Sequence, residues 1–164
     1  LPGVVRTWAP VGETPILRSK LTRDHYSVIS AITPTGELYL EMRKTAFDSA
    51  AVIAFLEQLL QLIEGKLLII WDGAMIHRSQ AIKSFLADGA AKRIRLERLP
   101  AYAPDLNPDE GIWHYLKHVE LKNVCCKDLS HLDYELSAAV QRLSAKPEVI
   151  AACFAPLNKY EKST

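Results

Sequence analysis

The spacing of hydrophobic positions changes several times along this chain, and each change marks an element. "HYSVISAIT" (25–33) is rich in β-branched residues and partly alternates, "TPTGE" follows with turn chemistry, and "LYLEM" (38–42) alternates again. That order predicts a β-hairpin. From Asp48 to Glu64, Val52, Phe55, Leu56, Leu59, Leu60 and Ile63 recur at helical spacing and Gly65 follows, which predicts an amphipathic helix and its stop. "KLLIIWDG" (66–73) is instead a continuous apolar run ending in an acid, the pattern of a strand covered on both faces. Ser79 can cap a short helix carrying Ile82, Phe85 and Leu86 and stopped by Gly89, after which "RIRLERL" (93–99) alternates as another strand. A strand-helix-strand crossover joins parallel strands, so the expected fold is α/β with a mixed sheet: an antiparallel hairpin, then parallel strands with flanking helices. Two more amphipathic helices, near 108–122 and 131–144, close the chain.

Composition narrows the picture. At 164 residues the chain suits a single domain, 1–164, with a core that needs no disulfide staples. Lys plus Arg number 20 against 19 Asp plus Glu, a formal net charge of +1, so any anion site must come from local clustering rather than global attraction. Cys125, Cys126 and Cys153 are odd in number and lack metal-type CxxC spacing, which reads as free thiols in a reducing cytoplasm. Apolar runs such as "LLIIW" fall far short of the roughly 20 residues that cross a bilayer. The opening "LPGVVRTWAP" has neither an initiating Met nor the basic-then-apolar order of a signal peptide, and reads as cut from something longer. Absence of Gly-rich phosphate loops and of a GxSxG elbow argues against ATP hydrolysis and acyl transfer.

Two acids stand out. In "LPAYAPDLNPDEGIWHYLK" (99–117), Asn107, Pro108 and Glu110 occupy the N-cap, N1 and N3 positions of a capping box, and local physics alone would explain Glu110 that way. On the helix that starts there, Ile112, Trp113, Leu116 and Val119 form the stripe expected to be buried, while Glu110, His114 and Lys117 share another face. Asp72 follows the buried strand directly, at the carboxyl edge where α/β sheets bind ligands, and a carboxylate near an apolar core is costly unless it is used. Acids from separate elements can share divalent cations such as Mg²⁺, which take hard oxygen ligands and leave positions for water and phosphate.

Lesser candidates carry less. His77 and Arg78 follow Asp72 and could contact a phosphate. Residues 78–98 hold six Lys or Arg against two acids, a local excess that could line a DNA path. His114 and His118 have i, i+4 spacing without the acid of an HExxH motif, which argues against zinc. Trp8 and Trp71 are expected in or beside the sheet, and Trp113 on the buried helix stripe. Asp24 reads as a turn residue.

"IIWDGAMIHRS" (69–79), followed by Glu110 with 37 residues intervening after Asp72, within "LPAYAPDLNPDEGIWHYLK", resembles the catalytic core of mariner-superfamily transposases of the bacterial insertion-sequence type. "RTWAPVGETP" (6–15) and "SVISAITPTGELYLE" (27–41) match that family's pattern in the same order. The resemblance implies a ribonuclease-H-like fold and an Asp-Asp-Glu triad binding two Mg²⁺ or Mn²⁺ ions, with Asp72 the second acid and Glu110 the third. Asp109 would project about 100° away around the helix, so Glu110 is the expected ligand. It further implies DNA cleavage and strand transfer by water and then a freed 3′-hydroxyl. The implied partners are double-stranded DNA, for which His77, Arg78 and Lys117 are the candidate contacts by their position and charge, and a second copy of the chain in a synaptic homodimer; the expected location is a bacterial cytoplasm at the nucleoid.

The family's first acid lies on a strand ahead of the part resembling "RTWAP". On this pattern the chain lacks that strand, its triad is incomplete, and it is expected to be inactive alone. The same strand would lie between the hairpin and the Asp72 strand, so an exposed edge or a non-family pairing is expected, with aggregation or marginal stability. Two rivals remain open: a non-catalytic remnant that binds DNA or protein, and an aspartate-based phosphatase or phospho-receiver. The latter wants a second acid near Asp72, and "DGAMIH" offers none.

Overall fold

Residues 8–13, 25–101 and 103–155 are described by a computed structural model of the chain; Asp24 lies outside them. Two compact units emerge, one from residues 27–30 and 39–107, the other from 31–38 and the segment beginning at 108. Strands β1 (Ser27–Ile32) and β2 (Leu38–Arg43) pair with each other, and a connection this short permits only the antiparallel hairpin. Its turn is closed by Gly36 N–H donating to the Thr33 carbonyl at 3.0 Å, with the Thr33 and Thr35 hydroxyls donating to Glu37 Oε2 at 2.9 and 3.1 Å. Gly36 is buried at φ +93°. A Cβ there would run into the backbone of Pro147.

Within the 27–30 and 39–107 unit, Asp48 caps α1 (Ser49–Leu62) by accepting from Ala51 N–H at 2.8 Å. Ala51, Val52, Phe55, Leu56 and Leu59 are its buried face, the helix ends at the extended Ile63, and Gly65 follows at φ +82°. Strand β3 (Leu67–Trp71) then pairs in parallel with β4 (Ile94–Arg98) across α2 (Gln80–Ala87), in the register Leu67 to Ile94 through Trp71 to Arg98. Ser79 caps α2, accepting from Ile82 N–H, and Ile82 and Ile94 are buried.

The expectation that β3 is covered on both faces fails. Leu67, Ile69 and Trp71 are half-buried, whereas Leu68 and Ile70 are 60% and 55% exposed. An uninterrupted apolar run says only that both faces tolerate apolar side chains, not that both are covered. Nor do the strands join into one mixed sheet: hairpin and parallel pair are separate two-stranded ladders, so each strand has an open edge among the described residues. Trp8, expected beside the sheet, is wholly exposed, two residues ahead of a turn closed by Glu13 N–H on the Pro10 carbonyl.

Arg93 joins the end of α1 to the start of β4. Its guanidinium donates to the carbonyls of Leu60, Ile63 and Gly65 at 2.8, 2.6 and 2.8 Å, satisfying carbonyls left over at a helix C-terminus and opposing the helix dipole there. This side chain, counted above in a possible DNA path, has a structural task. Arg95 likewise pairs with Glu97 at 2.7 Å. We expect Arg93→Ala to lower unfolding free energy by about 2–3 kcal/mol after discounting for partial exposure, read from the urea midpoint.

The second unit is helical. α3 (Pro108–Tyr115) runs into one π turn, Leu116–Glu120, and α4 (Leu129–Ser144) and α5 (Pro147–Ala152) follow. Asp128 caps α4 through His131 N–H at 2.8 Å. Ile112, Leu116, Leu121, Leu136, Ala139, Leu143 and Ile150 are buried, and each fully buried Ile or Leu contributes about 1.5–3 kcal/mol. Gly111 lets α3 approach Cys153, whose Sγ would lie 2.8 Å from a Cβ at that position. Val119, assigned from its spacing to the buried stripe, is 44% exposed. The π turn explains why: its wider winding shifts the helical phase, so Leu121 goes inside and Val119 comes out.

The same shift brings Glu120 inward. Its side chain, only 6% exposed, accepts from Arg142 Nε at 2.6 Å and Lys146 Nζ at 2.7 Å. Burial alone would raise its pKa, but the hydrogen bonds and charges of Lys146 and Arg142 outweigh burial and hold it below the usual 4.5. A depressed carboxylate contributes stability that is complete above its unfolded pKa and is lost as pH falls through the folded value. Glu120→Gln should therefore lose less stability than the parent chain on acidification from about pH 5 to pH 3, measured as urea midpoints.

Candidate active site

Asp72 stands one residue beyond β3. The parallel ladder ends as Leu99 N–H donates to the Trp71 carbonyl at 2.8 Å, so the chain leaves the sheet at the Asp72 backbone. Its side chain is 64% exposed. Oδ1 accepts from Ala74 N–H at 2.9 Å and lies 3.0 Å from His77 Nδ1. That first bond is an Asx turn, which aspartate makes readily and which directs the chain into the single 3₁₀ turn Met75–Arg78. His77 is 16% exposed, and its ring lies flat on Trp71, with centroids 4.2 Å apart and planes 3° from parallel. Arg78 ends this turn with its side chain exposed.

Arg98 was not singled out by its sequence position. Paired with Trp71 at the carboxyl end of β4, it lays its guanidinium against Gly73, so closely that a Cβ on residue 73 would overlap it. A positive group therefore borders the Asp72 turn, and the signal that could have found it is the register of two parallel strands that end together.

Glu110 and Lys117 belong to the other unit. Helix α3 begins at Pro108 as the capping pattern predicts, but Asn107 N–H donates to the Pro104 carbonyl at 2.9 Å, which leaves the reciprocal half of a capping box without its donor. Glu110 is exposed, with no hydrogen bond or ion pair among the described residues, and His114 and Lys117 are exposed as well. Asp109 differs: its Oδ2 accepts from Trp113 Nε1 at 2.8 Å. That bond ties one acid of the pair to the helix's own packing and leaves the other accessible.

Both accessible carboxylates are hard oxygen donors of the kind Mg²⁺ and Mn²⁺ take, each able to ligate while other positions go to water or phosphate. No group of three His, Cys, Asp or Glu suited to a metal occurs among the described residues. His114 and His118 tilt against each other with centroids 4.7 Å apart. All three cysteines are free thiols. Burial raises the pKa of Cys126 and Cys153, which keeps them protonated and poorly nucleophilic.

A family described as DDE superfamily endonuclease matches residues 4–133, a span holding both Asp72 and Glu110. The chain belongs to that family. No curated protein matches it. Among solved structures, this endonuclease-family chain is similar to the Mos1 strand transfer complex, at TM-score 0.58 and 19% identity over 94% of this chain and 50% of that one. It is also similar to the Mos1 transposase paired-end complex with left transposon end, at 0.59 and 15% over 93% and 51%. A third match is the Mos1 mariner paired end complex with Mn, at 0.57 and 19% over 94% and 51%. At these identities the likeness is one of fold, the ribonuclease-H-like α/β arrangement expected from the sequence. The chain spans about half the length of the Mos1 chains. No helix of the described residues is long and apolar enough to cross a membrane.

Proposed function

We propose that this chain is the catalytic core of a DDE transposase, in which Asp72 and Glu110 are the second and third acids of the metal-binding triad. The observation that carries it is the endonuclease-family match over residues 4–133, a span that holds both acids. It is supported by Asp72 at the carboxyl edge of a parallel strand pair and by Glu110 exposed in the first turn of α3. When bound, a pair of Mg²⁺ or Mn²⁺ ions supplies Lewis-acid stabilisation of the attacking and leaving oxygens in an in-line phosphoryl displacement. Asp72 contributes Oδ2, since Oδ1 faces the protein, and Glu110 contributes a carboxylate with no competing partner. Arg78 and Lys117, exposed and cationic, hold the phosphodiester backbone of double-stranded DNA. Water and then a freed 3′-hydroxyl act as nucleophiles, in a homodimer that holds two transposon ends.

The first acid of the triad is expected on a strand ahead of the segment resembling "RTWAP". The test incubates supercoiled DNA carrying candidate transposon ends with Mg²⁺ and either this chain or one extended upstream by such a strand and its Asp. We expect cleavage by the extended chain, none by the shorter one, and no hydrolysis of a small aryl phosphate by either. Phosphatase activity would replace this function with aspartate-based phosphoester chemistry. An extended chain that folds, binds DNA and never cleaves would instead identify a binding remnant.

A further inference from the structure

We propose that His77 is a positioning residue for Asp72, aiming the carboxylate outward, and that Trp71 keeps the imidazole in place by stacking on it. The assignment rests on Asp72 being a metal ligand and adds how that ligand is held. His77 Nδ1 faces two oxygens of the same residue, Asp72 Oδ1 at 3.0 Å and the Asp72 carbonyl at 3.4 Å. Both are acceptors, so Nδ1 carries the proton and donates. Together with Ala74 N–H at 2.9 Å, this puts two donors on Oδ1 and leaves Oδ2 as the oxygen presented to solvent. A carboxylate fixed through one oxygen is oriented for monodentate ligation by the other, and such outer partners raise metal affinity by restricting the ligand.

Trp71 completes the support. The near-parallel contact at 4.2 Å restrains the imidazole plane. The ring is 16% exposed against 64% for the carboxylate it serves, so His77 belongs to the wall of the turn and Asp72 to its mouth. His77 was expected at the DNA phosphates, but its Nδ1 faces Asp72 instead. Arg78, next in sequence and exposed, is better placed for that contact.

Two readouts test the role. In the 164-residue chain, long-range ¹H–¹⁵N spectra of the neutral His77 ring should show Nδ1 protonated and Nε2 bare; the opposite tautomer overturns the proposal. In the upstream-extended chain, His77→Ala should raise the Mn²⁺ concentration for half-saturation, followed by paramagnetic relaxation of water, by about 10- to 100-fold. DNA affinity should change less than about twofold, within the scatter of a surface substitution. His77→Asn, whose amide can donate where Nδ1 does, should recover most of the metal affinity, and Trp71→Phe should retain it where Trp71→Leu does not. If His77→Ala weakens DNA binding and lowers its salt dependence while Mn²⁺ saturation stays unchanged, the residue is a phosphate contact and the proposal fails. Asp72→Asn separates the two levels: if it leaves Mn²⁺ binding intact, the ligand assignment itself is wrong.

Discussion

Replacing Asp72 with Asn in an upstream-extended chain is expected to reduce Mg²⁺-dependent DNA cleavage by at least about 10³-fold, equivalent to about 4 kcal/mol of transition-state stabilisation. Glu110→Gln should do the same. The Asn substitution isolates charge from shape, because the amide oxygen can still accept from Ala74 N–H and close the Asx turn. What disappears is the anionic oxygen a divalent cation requires. Folding should be unaffected within about 0.5 kcal/mol, since Asp72 and Glu110 are both exposed and neither supports the core. Gel assays of supercoiled and nicked DNA, with urea melts run in parallel, would check both halves. A retained cleavage rate in either variant removes that residue from the metal site.

Gly36→Val is expected to be the most damaging single change to stability, at about 3–5 kcal/mol. The backbone there sits at φ +93°, a conformation that is costly for any side chain and worst for a β-branched one. The added Cβ would also meet the Pro147 carbonyl group, at the start of α5, and backbone cannot rotate away as a side-chain tip can. A variant that melts like the parent chain would show that the turn can move off α5 at little cost. Gly65→Ala is the control: φ is also positive, at +82°, but nothing lies within 4 Å of its added Cβ. Only the conformational part, about 1–2 kcal/mol, should be lost.

Elements whose signals are local were legible in the sequence. Asp48 and Gly65 bracket α1 as their chemistry dictates, and the strand-helix-strand order gave the parallel β3–β4 pair. The failures are positions where periodicity cannot report the deciding fact. No apolar spacing signals the π turn at Leu116–Glu120, so the spacing puts Val119 inside and gives no sign of Glu120, which the turn delivers to Arg142 and Lys146. Continuous apolarity in β3 could not say that Leu68 and Ile70 would stay exposed. Charge counting puts Arg93 in a basic tract, although three carbonyls at and just beyond the end of α1 claim it. For the candidate site, the place of Asp72 directly after a strand was legible. The His77 contact was not, because it depends on a 3₁₀ turn bringing residues five apart together.

The decisive measurement is a crystal structure of the upstream-extended chain grown with Mn²⁺ and a DNA end, with the metal located by its anomalous scattering. Density for Mn²⁺ is expected within about 2.0–2.3 Å of Asp72 Oδ2 and of a Glu110 carboxylate oxygen, distances typical of hard oxygen ligation. Manganese bound by neither residue, with the two carboxylates facing apart, would contradict the assignment of Asp72 and Glu110 to one catalytic centre.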